Sequence, residues 1–193
     1  SPNYTPEIAA ECMEKIFLPT VAALKAEGRP FRGVIYFGLM LTPQGPRVVE
    51  YNARFGDPET QAVLSLLDSD LLEIFQACVQ GTLDQVDIEW ADGAACCLVL
   101  ASGGYPASYQ SGYPITGLEQ AGEKAVVFHA GTKRQEDGRM VTAGGRVLGV
   151  TAVGDTLEQA VAASYEAAKS IQFEHMHYRT DIGRDGACAC RNA

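Results

Sequence analysis

The sequence predicts an α+β chain in two parts. A helix–hairpin–helix region comes first, and a mostly antiparallel β region with one packed helix follows. Three observations carry this. Apolar residues recur at helical spacing near the start. Two β-type runs joined by "TPQGP" then give way to two shorter helical stretches. After "DQVDIEWADGA" the chain turns into β-type runs separated by Gly and Pro turns, closed by a single helical stretch.

Each element has a local reason. Ile8, Cys12, Ile16, Phe17, Val21 and Leu24 set a helix over residues 6–27. Thr5 is placed to cap it, Pro6 suits its first position, Gly28 suits its stop, and Pro19 should kink it. "GVIYFGLML" is rich in β-branched and aromatic residues and reads as a strand, with "RVVEYNA" as the returning strand of a hairpin. "FGDPE" is a loop, with Pro58 at or near the next helix start. Helices are expected over about 60–67 and over 70–80, the second ended by Gly81. A domain boundary is placed near residues 89–93, dividing the chain into 1–90 and 91–193. Beyond it "AACCLVLAS", "KAVVFHAGT", "RMVTAGG" and "RVLGVTAVG" read as strands. A helix over 156–171 follows, with Thr156 as N-cap and "TLEQ" as an imperfect capping box.

The chain has 193 residues, 47% apolar and 20% charged, which suits a globular chain with room for a sizeable core. A net charge of −9 argues against nucleic acid as the partner, because phosphate backbones require a basic surface. No apolar run approaches a membrane span, and "SPNYTPEIAAEC" has no signal-peptide pattern. Without an initiator Met, Ser1 reads as an internal cut in a longer chain. Cys12 and Cys78 fall in helical patterns, and Cys96 and Cys97 in an apolar strand, the usage expected in a reducing cytoplasm. The "CAC" of Cys188 and Cys190 is a poor zinc set and reads as a solvated tail.

The stretch "VVEYNARFGDPE" concentrates charge where a strand runs out. Strand alternation puts Glu50 and Asn52 on one face, about 7 Å apart along the strand. A carboxylate and an amide oxygen make a minimal protein share of a Mg²⁺ site, since that ion keeps several positions for water and phosphate. Arg54 continues the face and suits a carboxylate or phosphate. Asp57 and Glu59 stand at a helix start, where negative charge is favoured. On residue chemistry alone, two bland accounts stay open. Glu50 can be a solvated residue on an exposed strand, and Asp57 and Glu59 can be no more than helix-start acids.

The motifs together resemble the phosphoribosylamine–glycine ligases (glycinamide ribonucleotide synthetases), ATP-grasp enzymes of purine biosynthesis. "VVEYNARFGDPETQ" resembles their strand and loop, and "PTVAALKAEGRPFRGVIYFGLMLT" the helix and strand before it. "ASGGYPASYQSG", "FHAGT", "GGRVLGVTAVG" and "YRTDIG" are similar, in order, to their C-terminal domain. The resemblance implies the second half of an ATP-grasp domain over 1–90 and the family's C-terminal domain over 91–193. It implies ligation of glycine to 5-phosphoribosylamine with ATP as co-substrate, through glycyl phosphate. It implies Mg²⁺ or Mn²⁺ held by Glu50 and Asn52, and a substrate neighbourhood for Arg54, Asp57 and Glu59. Charge assigns Arg54 to the glycine carboxylate or glycyl phosphate and Asp57 to an amine; the structural alternative pairs those two side chains with each other. "AGGRV" adds Arg146, whose two preceding glycines let a backbone approach an anion.

Many ATP-grasp enzymes supply a second acid about twelve residues upstream of the metal-binding Glu. Here that position is Gly38, a trait shared with the resembled family, and it leaves fewer protein ligands for the metal. His129 reads as a structural hydrogen-bonder, and His175 and His177 as ordinary surface alternation. The family's N-terminal domain and its first ATP-grasp half, with the phosphate-covering loop, are expected to be supplied by the parent chain. Alone, these 193 residues are expected to be inactive. Two other readings remain at this stage: a noncatalytic remnant or binding module, and another ATP-grasp ligase such as a biotin-carboxylase-like enzyme, against which "RFGDPE" discriminates.

Overall fold

The computed structural model describes residues 3–183; the "CAC" cysteines lie outside the described residues. There are two compact units. The first runs to Gly56 and resumes over Ser69–Ile88; the second takes Asp57–Asp68 and everything described from Glu89 onward. Nothing in the composition of Asp57–Asp68 marks this excursion.

The first unit opens on α1 (Pro6–Cys12), a π-helical turn (Met13–Phe17) and α2 (Leu18–Ala26). Thr5 caps α1 by accepting from the Ile8 N–H, with Pro6 in the first turn. The helix expected over 6–27 is therefore present but not uniform. Pro19 explains the departure. Its ring clashes with the carbonyl four residues back, Lys15, and it offers no N–H. The wider turn containing Lys15 accommodates both faults. At the same turn the Thr20 hydroxyl donates to the Ile16 carbonyl at 2.7 Å.

β1 (Tyr36–Thr42) and β2 (Gly45–Asn52) form the expected antiparallel hairpin. Its register pairs Tyr36 with Asn52 and Gly38 with Glu50, then shifts so that Leu39 faces Val48. Val49 is thus the extra residue of a β-bulge, a device that re-aims neighbouring side chains. α4 (Leu71–Gln80) is held by Asp70, whose carboxylate accepts from the Leu72 N–H at 2.8 Å, and is stopped by left-handed Gly81.

The second unit contains α3 (Glu59–Val63), continued by a 3₁₀ turn (Leu64–Leu66). Its main sheet has the order β4 (Val126–His129), β7 (Arg146–Gly154), β3 (Ala94–Ser102), β8 (Met176–His177), every pair antiparallel. The short pair β5 (Thr132–Arg134) and β6 (Met140–Thr142) stands apart, and α5 (Leu118–Gly122) is a short helix the sequence pattern did not reveal. Central β7 is buried from Val147 to Ala152, as a strand covered on both faces must be.

α6 (Leu157–Ala168) lays a small-residue face, with Ala160, Ser164, Ala167 and Ala168 buried, on β3 and β7. Ser164 is fully buried yet satisfied: its hydroxyl donates to the Cys96 carbonyl at 2.8 Å and accepts from the Ala152 N–H at 3.2 Å. Thr156 caps α6 by accepting from the Gln159 N–H. The Gln159 side chain closes the box one residue early, on the Asp155 N–H, so the imperfect "TLEQ" box is in use. Among the described residues no helix is long and apolar enough to cross a membrane.

Candidate functional site

In the first unit, Glu50 and Asn52 stand together at the end of β2. The Asn52 Nδ2 donates to the Glu50 Oε1 at 3.2 Å, with Glu50 exposed and Asn52 half-buried. Gly38 is their complement on β1. A Cβ there would lie 2.7 Å from the Glu50 Cγ, so the bare glycine makes room for the carboxylate to lie across the hairpin. The absence of a second acid at position 38 and the placement of Glu50 thus share one cause. Among the described residues no group of three or more His, Cys, Asp or Glu is placed to hold a metal. Glu50 and Asn52 fit a hard divalent cation only as a partial shell, which is the share Mg²⁺ takes when phosphate oxygens and water complete it. Arg54 lies two residues past the strand, exposed, its Nη1 donating to the Phe55 carbonyl at 2.7 Å.

In the second unit, Asp57 and Arg146 meet although 89 residues separate them. Arg146 forks onto one residue: Nη2 lies 3.0 Å from the Asp57 Oδ2 and Nη1 donates to the Asp57 carbonyl at 2.8 Å. The other carboxylate oxygen, Oδ1, accepts from the Gln61 Nε2 at 3.0 Å. Gln61 was not singled out from sequence; its signal is the four-residue spacing from Asp57 at a helix start. Its own Oε1 is buried and has no hydrogen-bond partner among the described residues. Glu59 is half-buried in the first turn of α3. Burial pushes the Cys97 thiol above its ordinary value, and the Asp57 and Glu59 carboxylates add to the rise.

The glycine-rich motifs of the second unit converge on Arg146. Ser102, at the head of "SGGYP", donates its N–H to the Gly145 carbonyl and its hydroxyl to the Gly144 carbonyl, both at 2.8 Å. From "FHAGT", the Gly131 N–H donates to the Arg146 carbonyl at 2.8 Å, and the Gly131 carbonyl accepts from Ala143 at 2.7 Å. A Cβ on Gly131 would sit 2.6 Å from the Gly144 Cα, so glycine is required for that backbone approach. The three loops build the platform from which Arg146 reaches Asp57. His129 makes a hydrogen bond with the Thr132 hydroxyl at 3.0 Å, the structural role expected of it. His175 adopts positive φ (58°) and lies edge-on to Tyr113, and His177 is an exposed residue of β8.

Comparison with known proteins supplies the class first. Residues 1–60 match the family model for the phosphoribosylglycinamide synthetase ATP-grasp (A) domain, so the first unit carries part of an ATP-grasp fold. Residues 95–185 match the C domain of the same synthetase. The chain belongs to the phosphoribosylglycinamide synthetase family. A phosphoribosylamine–glycine ligase from Caldanaerobacter subterraneus is 49% identical over 182 residues, covering 94% of this chain and 43% of that protein. The crystal structure of a phosphoribosylamine–glycine ligase from Thermotoga maritima is 35% identical with a TM-score of 0.80, covering 94% of this chain and 45% of that one. Urea carboxylase from Kluyveromyces lactis, 14% identical with a TM-score of 0.58, shares the fold alone. The chain therefore spans somewhat under half the length of the curated relatives it matches.

Proposed function

We propose that this chain is the metal-holding end and C domain of a phosphoribosylamine–glycine ligase. In that reaction the glycine carboxylate takes the γ-phosphoryl group of ATP, giving glycyl phosphate and ADP. The amine of 5-phosphoribosylamine then displaces phosphate to give glycinamide ribonucleotide. The observation that carries the reading is the Glu50–Asn52 pair at a strand end, 3.2 Å apart, in a chain whose relatives bear that name.

In this account Glu50 and Asn52 hold Mg²⁺ or Mn²⁺ against the nucleotide phosphates. The ion, when bound, neutralises charge that develops on the transferred phosphoryl group. Arg54 keeps several guanidinium donors beyond the one given to Phe55 and receives the glycine carboxylate. Asp57, oriented by Arg146 and Gln61, presents negative charge to an amine, and Glu59 adds to it.

The test is a chimera in which this chain replaces the matching segment of the Caldanaerobacter relative, assayed for ADP release that requires both glycine and freshly formed 5-phosphoribosylamine. The chimera is expected to turn over, and the 193-residue chain alone is expected to be inactive. Glu50→Gln and Asn52→Ala should each lower turnover by about 10²-fold or more, most strongly at limiting Mg²⁺, as loss of charge stabilisation in phosphoryl transfer does. A folded chimera without glycine-dependent ADP release overturns the ligase reading. An active chimera indifferent to both substitutions overturns the metal assignment alone.

A further inference from the structure

The Gln61 amide is served at one end only. Its Nε2 donates to the Asp57 Oδ1 at 3.0 Å, while its Oε1 is buried with no hydrogen-bond partner among the described residues. A buried acceptor without a donor has lost its hydration and gained nothing in return, so the fold carries a penalty here. Packing does not call for an amide at this position. The Gln61 Cγ lies 3.9 Å from the point a Gly149 Cβ would occupy, and the Cys97 sulfur and Phe128 Cβ lie 3.1 and 3.8 Å from the same point. An apolar side chain of equal length would meet those neighbours with no oxygen left unpaired. Nor does α3 need the amide. The Ser65 hydroxyl donates to the Gln61 backbone carbonyl at 2.6 Å, a bond that any residue at this position can accept.

What the amide does serve is Asp57, whose carboxylate has two donors of different kinds. Arg146 brings Nη2 to within 3.0 Å of Oδ2 with a positive charge, and Gln61 brings Nε2 to Oδ1 without one. One donor on each oxygen fixes the plane of the carboxylate and leaves lone pairs for a further donor. The Asp57 side chain is 43% exposed, so such a donor can arrive from solvent. Charge then decides which donor is welcome. A second cation in place of Gln61 would give the group a net positive charge and repel an ammonium. The neutral amide holds the carboxylate and leaves the group without net charge.

We propose that Gln61 is a positioning residue for a cationic amine on Asp57, retained at a cost to fold stability, and that its neutrality is what admits the amine. Gln61 acts through the Asp57 carboxylate and not by touching the ligand. The role rests on the ligase reading, in which the amine belongs to glycine; the stability cost does not.

Two substitutions separate this role from a structural one. Gln61→Met keeps the length and removes both the donor and the unpaired oxygen. Gln61→Lys keeps a donor for Asp57 and adds charge. In the 193-residue chain the urea midpoint of Gln61→Met is expected not to fall. In the chimera Gln61→Met should raise the glycine KM about tenfold, the scale of one hydrogen bond to a charged group. That rise should exceed any fall in kcat, with the KM for ATP near normal. Gln61→Lys should raise the glycine KM at least as far, although its donor is kept. In an Asp57→Asn background Gln61→Met should raise it no further. If Gln61→Met does not fold, Gln61→Leu is read in its place. A lowered urea midpoint with every substrate weakened together makes the amide structural and overturns the proposal. A glycine KM unchanged by Gln61→Met, or near the wild-type value in Gln61→Lys, overturns it as well. A parent chimera without glycine-dependent ADP release overturns the ligase reading, and the amine role with it, before any Gln61 variant is measured.

Discussion

In the second unit Leu98, Leu100, Val147 and Val150 have no exposed surface, joined there by Ile171 and four helix alanines. In the first unit, only Cys12 among the described apolar side chains reaches that state. Val49, Leu72 and Val79 of the first unit are 66%, 62% and 73% exposed. Both units carry apolar strands and helices, so much of the difference lies in what those elements meet. In the second, β3 and β7 are covered by α6, and their alternation closes into a core. In the first, a bulged hairpin and two helical segments bring apolar faces that these residues do not bury. Apolar surface of that kind marks an interaction face. If Glu50 and Asn52 meet a metal and a nucleotide as proposed, that strand end has to stay open, and an open site cannot also be a closed core.

The largest effect tests this contrast directly. Leu100→Ala should destabilise the second unit by about 2–5 kcal/mol, read as a shift in the urea transition of Trp90 fluorescence, since Trp90 belongs to that unit. Val49→Ala should stay within about 0.5 kcal/mol, read by far-UV circular dichroism across the same titration. If Val49→Ala costs as much as Leu100→Ala, the first unit has a core of its own and the comparison fails.

How much of this could be read from sequence follows the same line. Local periodicity and capping chemistry located the hairpin, α4 between Asp70 and Gly81, β3, β7 and α6. The E-x-N face was legible because two-residue alternation is a local rule. The π turn before Pro19 was expected only as a kink, because the pattern cannot say how a helix absorbs a proline. The passage of Asp57–Asp68 into the second unit and the Asp57–Arg146 pair were not legible. Both depend on where a loop lands 89 residues away, and neither carries a periodic signal.

A middle-sized effect sharpens the contrast at the open site. Gly38→Ala places a methyl group 2.7 Å from the Glu50 Cγ, and the flexible carboxylate has to give way. Overpacking of this kind costs typically about 1–3 kcal/mol in a dense core and should cost less at an exposed hairpin. In the chimera, however, turnover should fall and the Mg²⁺ concentration for half-maximal rate should rise, because the proposed ligand would be displaced rather than removed. Normal Mg²⁺ dependence in Gly38→Ala would mean that Glu50 does not need the space glycine leaves.

The smallest effect on stability separates the two arginines. Arg146→Lys keeps the charge but cannot span the Asp57 carboxylate and carbonyl as a guanidinium does. Both partners are more than a third exposed, 39% and 43% by side chain, so solvent screens the pair and its loss should cost no more than about 1 kcal/mol. Arg54→Lys breaks only a bond to the neighbouring carbonyl and should leave the urea transition unchanged. Their kinetic signatures in the chimera should differ in the opposite order. Arg54→Lys should raise the glycine KM strongly while the KM for ATP stays near normal, because a direct carboxylate contact is weakened. Arg146→Lys should raise it modestly, because Asp57 keeps its bond to Gln61 and is reoriented rather than lost. The double variant Arg146→Lys with Asp57→Asn should then be no worse in glycine KM than Asp57→Asn alone, since Arg146 acts through that carboxylate. If the two losses multiply instead, Arg146 touches substrate on its own account and its position beside Asp57 is incidental.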